Sequence, residues 1–228
     1  MILKKSKMTL IVAAICVSAA VSSLSVFAGD KYSEPFSKVE TNLTKNKAYA
    51  NEKLVQVGND YISKKELLDL KAHKEFEMSL SNNLSRTLKE DDLKEGDLLE
   101  ELITEKLLLQ KAEELNVEAT IEDGKKEAFR ARDILKKQSK DVQEFQNKVI
   151  ALTGLSEEEY WKSYAPKLYQ EQLTQANLLI KLQKDGVLSE GEDLNKFGEK
   201  YREYRNGLYK SSLGNKVKSL DAKTLLNE

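Results

Sequence analysis

Asp97-Leu-Leu-Glu-Glu-Leu-Ile-Thr-Glu-Lys-Leu-Leu-Leu-Gln-Lys-Ala-Glu-Glu-Leu115 is the stretch on which the fold turns. Leu98, Leu99, Leu102, Ile103, Leu107, Leu109, Ala112 and Leu115 recur at three-four spacing. That spacing predicts a helix with one broad apolar face, since such residues stack along one side of the cylinder. Outside the N-terminal leader no other stretch is as apolar, so this helix belongs at the centre of the core. Asp97 and Glu100 read as a capping box at its start. Asn116 suits the left-handed residue that follows its end.

Working outward, Lys53-Leu-Val-Gln-Val57 alternates as a short strand. Gly58-Asn59-Asp60 turns it, and Tyr61-Ile62 pairs back or leads into a helix. Ser63 and Glu66 form a capping box, and the helix behind it carries Phe76, Leu80, Leu84 and Leu88 on one drifting stripe. Further along, Thr120/Asp123 opens a helix with Ala128, Phe129, Ala131, Ile134 and Leu135. Asp141 begins another, with Val142, Phe145, Val149 and Leu152, which Gly154 ends. Leu155-Ser-Glu-Glu-Glu-Tyr160 is the sharpest local signal. Ser156 and Glu159 form the box, and Leu155 and Tyr160 take the two staple positions. The helix it opens runs to about Gln183 and is bent by Pro166, which has no amide donor and crowds the preceding turn. Asp185-Gly186 stops it. In the tail, Leu194, Phe197, Tyr201 and Tyr204 keep helical spacing, and Leu208, Leu213, Val217 and Leu220 extend it across Gly207 and Gly214.

Ten Gly and two Pro are too few for a turn-rich β-sandwich. The fold class is all-α: long bent helices around a central apolar helix, with at most one short N-terminal strand pair. Residues 1–28 read as a secretory signal, with Lys4, Lys5 and Lys7 before an apolar core and Val26-Phe27-Ala28 before cleavage. The alternative is an uncleaved anchor over residues 8–28, which carry no charge. Residues 29–52 are polar without a clear period and read as a flexible tether. A helical domain over 53–186 and a helical tail over 187–228 complete the chain.

Val57-Gly-Asn-Asp-Tyr-Ile-Ser-Lys-Lys-Glu-Leu67 resembles the opening segment of the SurA N-terminal and PrsA-like exported chaperones, typically Val-Asn-Gly-x-x-Ile-Thr/Ser-x-x-Glu-Leu. Here the Asn-Gly order is inverted. Leu98 to Ala112 looks like that family's central helix, and Leu155 to Tyr160 is similar to its "leucine, small polar, acidic run" helix start. The resemblance covers Lys53 to Leu182. It implies a helical holdase-like module that cradles extended or partly folded polypeptide outside the cytoplasm. Many members continue into a parvulin-type prolyl isomerase domain. Only 46 residues follow Leu182, and none is the histidine that such an active site usually carries, so isomerase activity is not expected.

The rest of the chemistry is narrowed by what the chain lacks. Cys16, the only cysteine, lies in the leader, so the remainder forms no disulfide and no thiolate metal site. His73 is the only histidine and cannot build a multi-histidine zinc centre. From Gly29 on, 34 bases face 38 acids with no basic run, which argues against nucleic acid as a partner. The acidic pairs sit where they favour helix dipoles, and no phosphate loop or nucleophile elbow occurs. No cofactor and no enzyme activity are expected.

The expected partner is unfolded or extended polypeptide, with a membrane contact only through an uncleaved leader. Apolar residues left exposed between the helices and the tail are the candidate binding surface, namely Phe76, Phe129, Trp161 and Tyr164. A stripe at helical spacing also packs as core, which is the competing role for Trp161 and Tyr164. The expected function is an exported, ATP-independent chaperone of secretory polypeptides in the cell envelope or secreted. The alternative is an envelope scaffold for one folded partner, with Leu194 to Tyr204 as the docking helix.

Overall fold

A computed structural model describes residues 32–81, 93–188 and 194–220. The leader with its cleavage site, Leu84 and Leu88 lie outside these residues. The described elements, in order, are α1 (Ser33–Asn46), a 3-10 turn (Lys47–Tyr49), β1 (Lys53–Val57), β2 (Asp60–Ser63), α2 (Lys64–Ser81), α3 (Glu95–Glu114) and α4 (Ile121–Leu135). There follow α5 (Lys140–Leu152), α6 (Glu157–Glu159), a π-helical segment (Tyr160–Tyr164), α7 (Ala165–Lys184), α8 (Leu194–Ser212) and β3 (Val217–Ser219). The fold is mainly helical with one small sheet. The chain divides into two compact units, one over Ala112–Leu182 and one joining Ser33–Lys111 to Gln183–Glu228.

In the second unit the sheet order is β2-β1-β3, with both pairings antiparallel. Val55, Val57, Ile62 and Val217 turn inward from it. They pack with Leu67 of α2 and with Leu98, Leu99, Ile103 and Leu107 of α3. Each such side chain, fully buried, contributes about 1.5–3 kcal/mol. The central apolar helix is therefore where the sequence places it. Its core face takes Leu108, fully buried, and leaves Leu109 half-buried.

The β1–β2 turn explains the inverted Gly-Asn. Val57 pairs with Asp60, which leaves a two-residue loop. Gly58 has φ +60°, whereas Asn116 is the only non-glycine with positive φ among the described residues, so Asn59 is negative. Those signs belong to a type II′ turn, which takes glycine first; Asn-Gly would select type I′. A side chain at the first position would also displace Gln110. A Cβ on residue 58 would fall 2.7 Å from the Gln110 side chain, which donates from Nε2 to the Val57 carbonyl at 2.8 Å.

Two expectations need correcting here. Residues 33–46 of the supposed tether form α1, with Phe36 and Val39 buried and Leu43 half-buried at three-four spacing. The tail does not stay helical to Leu220. Gly214 (φ +73°) breaks it, and Val217 becomes the buried residue of β3. The tail thus completes the sheet started by β1, and the strand pair is a three-stranded sheet.

In the unit over Ala112–Leu182, capping grammar holds closely. Thr120/Asp123 and Ser156/Glu159 both close as reciprocal boxes. Asn116 is left-handed at φ +53°. Leu155 and Tyr160, the staple positions, join one core cluster. In the unit that holds α3, Ser63/Glu66 closes in the same way, whereas Asp97/Glu100 does not cap, because α3 begins two residues earlier at Glu95. Pro166 acts through the turn before it: the Ala165 amide reaches back to the Tyr160 carbonyl, five residues away, and the wider π turn relieves the crowding of the proline ring.

Candidate functional site

The two units are taken in turn. In the first, α4 presents Gly124, Ala128, Ala131 and Leu135 inward, a stripe of mostly small residues. Small residues let helix backbones approach. A Cβ at Gly124 would fall 2.1 Å from the Pro166 carbonyl oxygen of α7. The same crossing is fixed at its other end by hydrogen bonds. The Ala119 amide donates to Thr174 Oγ1, and Gln170 Nε2 donates to the Ala119 carbonyl, both at 3.0 Å. Thr174 is a buried polar residue, and this bond is its reason for being there.

Phe129 stands outside this contact, 53% exposed, and Tyr164 is 46% exposed at the end of the π segment. Ile121 is exposed as well. Trp161 is different. It is 3% exposed, edge-on to Tyr160 at 5.1 Å, inside the cluster formed by Ala128, Ala131, Val142, Ile150 and Tyr169. It is a core residue and offers no surface. Tyr164 keeps one face on Tyr160, with ring centroids 5.3 Å apart.

In the second unit Phe76 is also buried, with its ring 4.8 Å from that of Phe36 on α1. The sequence pattern assigns it no partner, because residues 33–46 read as tether. Asn46, buried at the end of α1, donates Nδ2 to Asp69 Oδ1 at 2.9 Å. Lys38 and Glu75 form an ion pair at 3.5 Å on the rim.

A second feature of this unit is a polar cleft of about 440 Å³, lined by Lys74, by Asp97, Glu100, Glu101 and Thr104 of α3, and by Gly198, Tyr201, Arg202, Arg205 and Asn206 of α8. Lys74 pairs with Glu101 and Arg205 with Glu105, both at 2.9 Å. Burial pushes the Tyr201 phenol above its ordinary pKa. Phe197 stacks on Tyr201. Of the tail's apolar stripe, Phe197, Tyr201 and Tyr204 are half-buried within their own unit.

His73 is exposed, and its Nδ1 lies 2.7 Å from the Asp69 carbonyl of its own helix. Among the described residues no three His, Cys, Asp or Glu side chains gather as a metal site. No helix among them is long and apolar enough to cross a membrane. The sequence reading missed Phe36, Val39, Asn46 and the cleft residues. Only the spacing of Phe36, Val39 and Leu43 could have signalled the first of these.

A helical protein with a small sheet, a II′ hairpin leading into a capped helix, and a buried central helix defines the class. The SurA-like N-terminal domain family matches residues 2–174, and the chain belongs to it. Comparison with curated proteins and with solved structures gave no match.

Proposed function

We propose that this protein is an exported, ATP-independent chaperone that binds unfolded or partly folded secretory polypeptides, without catalysing prolyl isomerisation or any other reaction. Membership in the SurA-like N-terminal domain family supports a chaperone-like role outside the cytoplasm. The leader, with its basic start and apolar core, supports export. The observation that carries the binding reading is the pair of large rings, Phe129 and Tyr164, held half-exposed on a unit that also leaves Ile121, Ile134 and Ile180 exposed. Amphipathic and aromatic side chains on a rigid element give contact area at low entropic cost. The charged residues around them keep such a surface soluble.

The test is suppression of light scattering by a heat-unfolded client, without nucleotide. The wild-type protein should suppress aggregation at a few-fold molar excess, and Phe129→Ser with Tyr164→Ser should lose most of that effect. Failure of the wild type with several unrelated clients refutes the reading.

A second reading, an envelope scaffold for one folded partner, draws on the polar cleft. Asp97, Glu100 and Arg202 line it without an ion pair among the described residues, as in a surface kept for a specific match. Recovery of one stoichiometric partner, lost in Glu100→Lys, would favour it over general chaperoning.

A further inference from the structure

We infer that α1 is an internal occupant of a helix-binding surface on α2, and that the same surface accepts an amphipathic segment of an unfolded polypeptide when α1 lifts. The second half rests on the chaperone reading above; the first does not.

The contact has the form of helix-in-groove recognition, in which a few apolar anchors at three-four spacing are laid along a partner. The anchors are Phe36, Val39 and Leu43, the only large apolar residues among the fourteen of α1. The receiving face runs along α2 through Asp69 and Phe76, with the buried small residue Ala72 on the same face between them. Phe36 meets Phe76 at 4.8 Å and Asn46 meets Asp69 at 2.9 Å, so the two helices run antiparallel.

α1 is held by Phe36, Val39 and Asn46, its three buried residues, which is fewer than α3 buries. Its rim ion pair is made by Lys38, whose side chain is 70% exposed, and exposed pairs of this kind are weak. By contrast, α3 buries Leu98, Leu99, Ile103, Leu107, Leu108 and Ala112. Elements with few buried apolar contacts open before the rest of a fold does. Lifting α1 would uncover Phe76, the large ring that Phe36 covers. The surface is therefore stored covered, which limits self-association, and becomes available when a client competes for it.

The experiment has two arms on the purified protein. In the first, native hydrogen exchange should show α1 amides exchanging at least about tenfold faster than α3 amides, as local opening requires. Equal protection makes α1 an integral helix and overturns the inference whether or not any polypeptide binds. In the second, affinity is measured for reduced, carboxymethylated α-lactalbumin, a permanently unfolded chain. Phe36→Ala with Val39→Ala should raise it about tenfold if α1 is seated nine-tenths of the time, because apparent affinity scales with the open fraction. Lys38→Cys with Glu75→Cys, in a Cys16→Ser background and joined by a thiol-cleavable cross-linker, should lower affinity by at least as much, with recovery on reduction. Should both variants bind like the wild type, the covered surface is refuted while the chaperone reading stands. Should no form bind, the chaperone reading falls and the client half falls with it.

Discussion

Replacing Gly124 by alanine tests the close crossing on which the unit over Ala112–Leu182 depends. Glycine inside a helix normally weakens it, and alanine there gains about 1 kcal/mol. Gly124 has an ordinary helical backbone, so propensity alone forecasts a more stable protein. The contact forecasts the reverse. The added methyl would lie 2.1 Å from the Pro166 carbonyl oxygen, 2.9 Å from the Gln170 amide nitrogen and 3.0 Å from Gln170 Cβ. The first two are backbone atoms and cannot rotate away. Relief requires α4 and α7 to part by roughly 1 Å, which is not a small change in a densely packed interior.

That separation would stretch both hydrogen bonds that fix Ala119 to Thr174 and Gln170, each now 3.0 Å. Overpacking costs about 1–3 kcal/mol, and more against rigid backbone. Taking the upper end of that range, about 3 kcal/mol, because the two nearest atoms are backbone, and subtracting the propensity gain leaves an expected net loss of about 2 kcal/mol. In urea, at a slope of about 2 kcal/mol per molar, the midpoint falls by about 1 M. Gly207→Ala is the control. It lies within α8 with nothing within 4 Å of its added methyl, and it should raise stability by up to about 1 kcal/mol. If Gly124→Ala also stabilises, the helices do not approach as described and the close crossing is refuted.

Three further outcomes follow from the same geometry. Ser156→Ala should cost about 1 kcal/mol near neutrality. The Ser156 hydroxyl and amide hold the Glu159 carboxyl below its ordinary pKa, so the stability tied to its ionised form is present above pH 4.5 and lost as pH falls through the depressed value. The gap between variant and wild type in acid unfolding should therefore narrow below pH 4.5, and a gap constant from pH 7 to 3 would contradict the cap. Gly58→Ala should cost about 1–3 kcal/mol for its positive φ at the first position of a II′ turn, plus the clash with Gln110. In a Gln110→Ala background only the first part should remain, and a double-mutant cycle in denaturant with no coupling would show that Gln110 does not occupy that space. Phe129→Ala should change stability by less than about 0.5 kcal/mol while weakening polypeptide binding, whereas Trp161→Ala should cost about 3–5 kcal/mol. Thermal melts and a binding titration separate the two.

What could be read from the sequence was what local chemistry decides. Ser156 with Glu159, Thr120 with Asp123, and Asn116 each act within a few residues, so their roles do not depend on the rest of the fold. The strand β1 and the turn after it are legible for the same reason, whereas the return of Tyr61-Ile62 is left open between a strand and a helix entry. What escaped was non-local or sparse. Val217 has helical spacing from Leu213, yet it becomes strand because β1 offers it a partner some 160 residues earlier in the chain. Three apolar residues in α1 were too few to stand out, and their meaning depends on Phe76 being there to receive them. Asp97 and Glu100 have capping-box spacing, but α3 starts at Glu95, which leaves both carboxylates on the wall of a cleft.

The candidate surface shows the same division. Phe129 and Trp161 both stand in helical patterns, and pattern alone assigns neither to the outside. The difference lies in which residues the helices can bring together. α4 crosses α7 at the distance a glycine permits, so the inward stripe through Gly124, Ala128 and Ala131 must stay small. A phenylalanine one position from Ala128 has no room on that stripe and is turned outward, 53% exposed. At the π segment, the wide turn before Pro166 sends Tyr160 and Trp161 into the cluster and leaves Tyr164 at its edge. The exposed rings follow from the backbone contact that forms the core. Ring exposure and stability are therefore coupled at Gly124 and separable at Phe129, and comparing those two substitutions distinguishes a surface built for contact from one merely left over by packing.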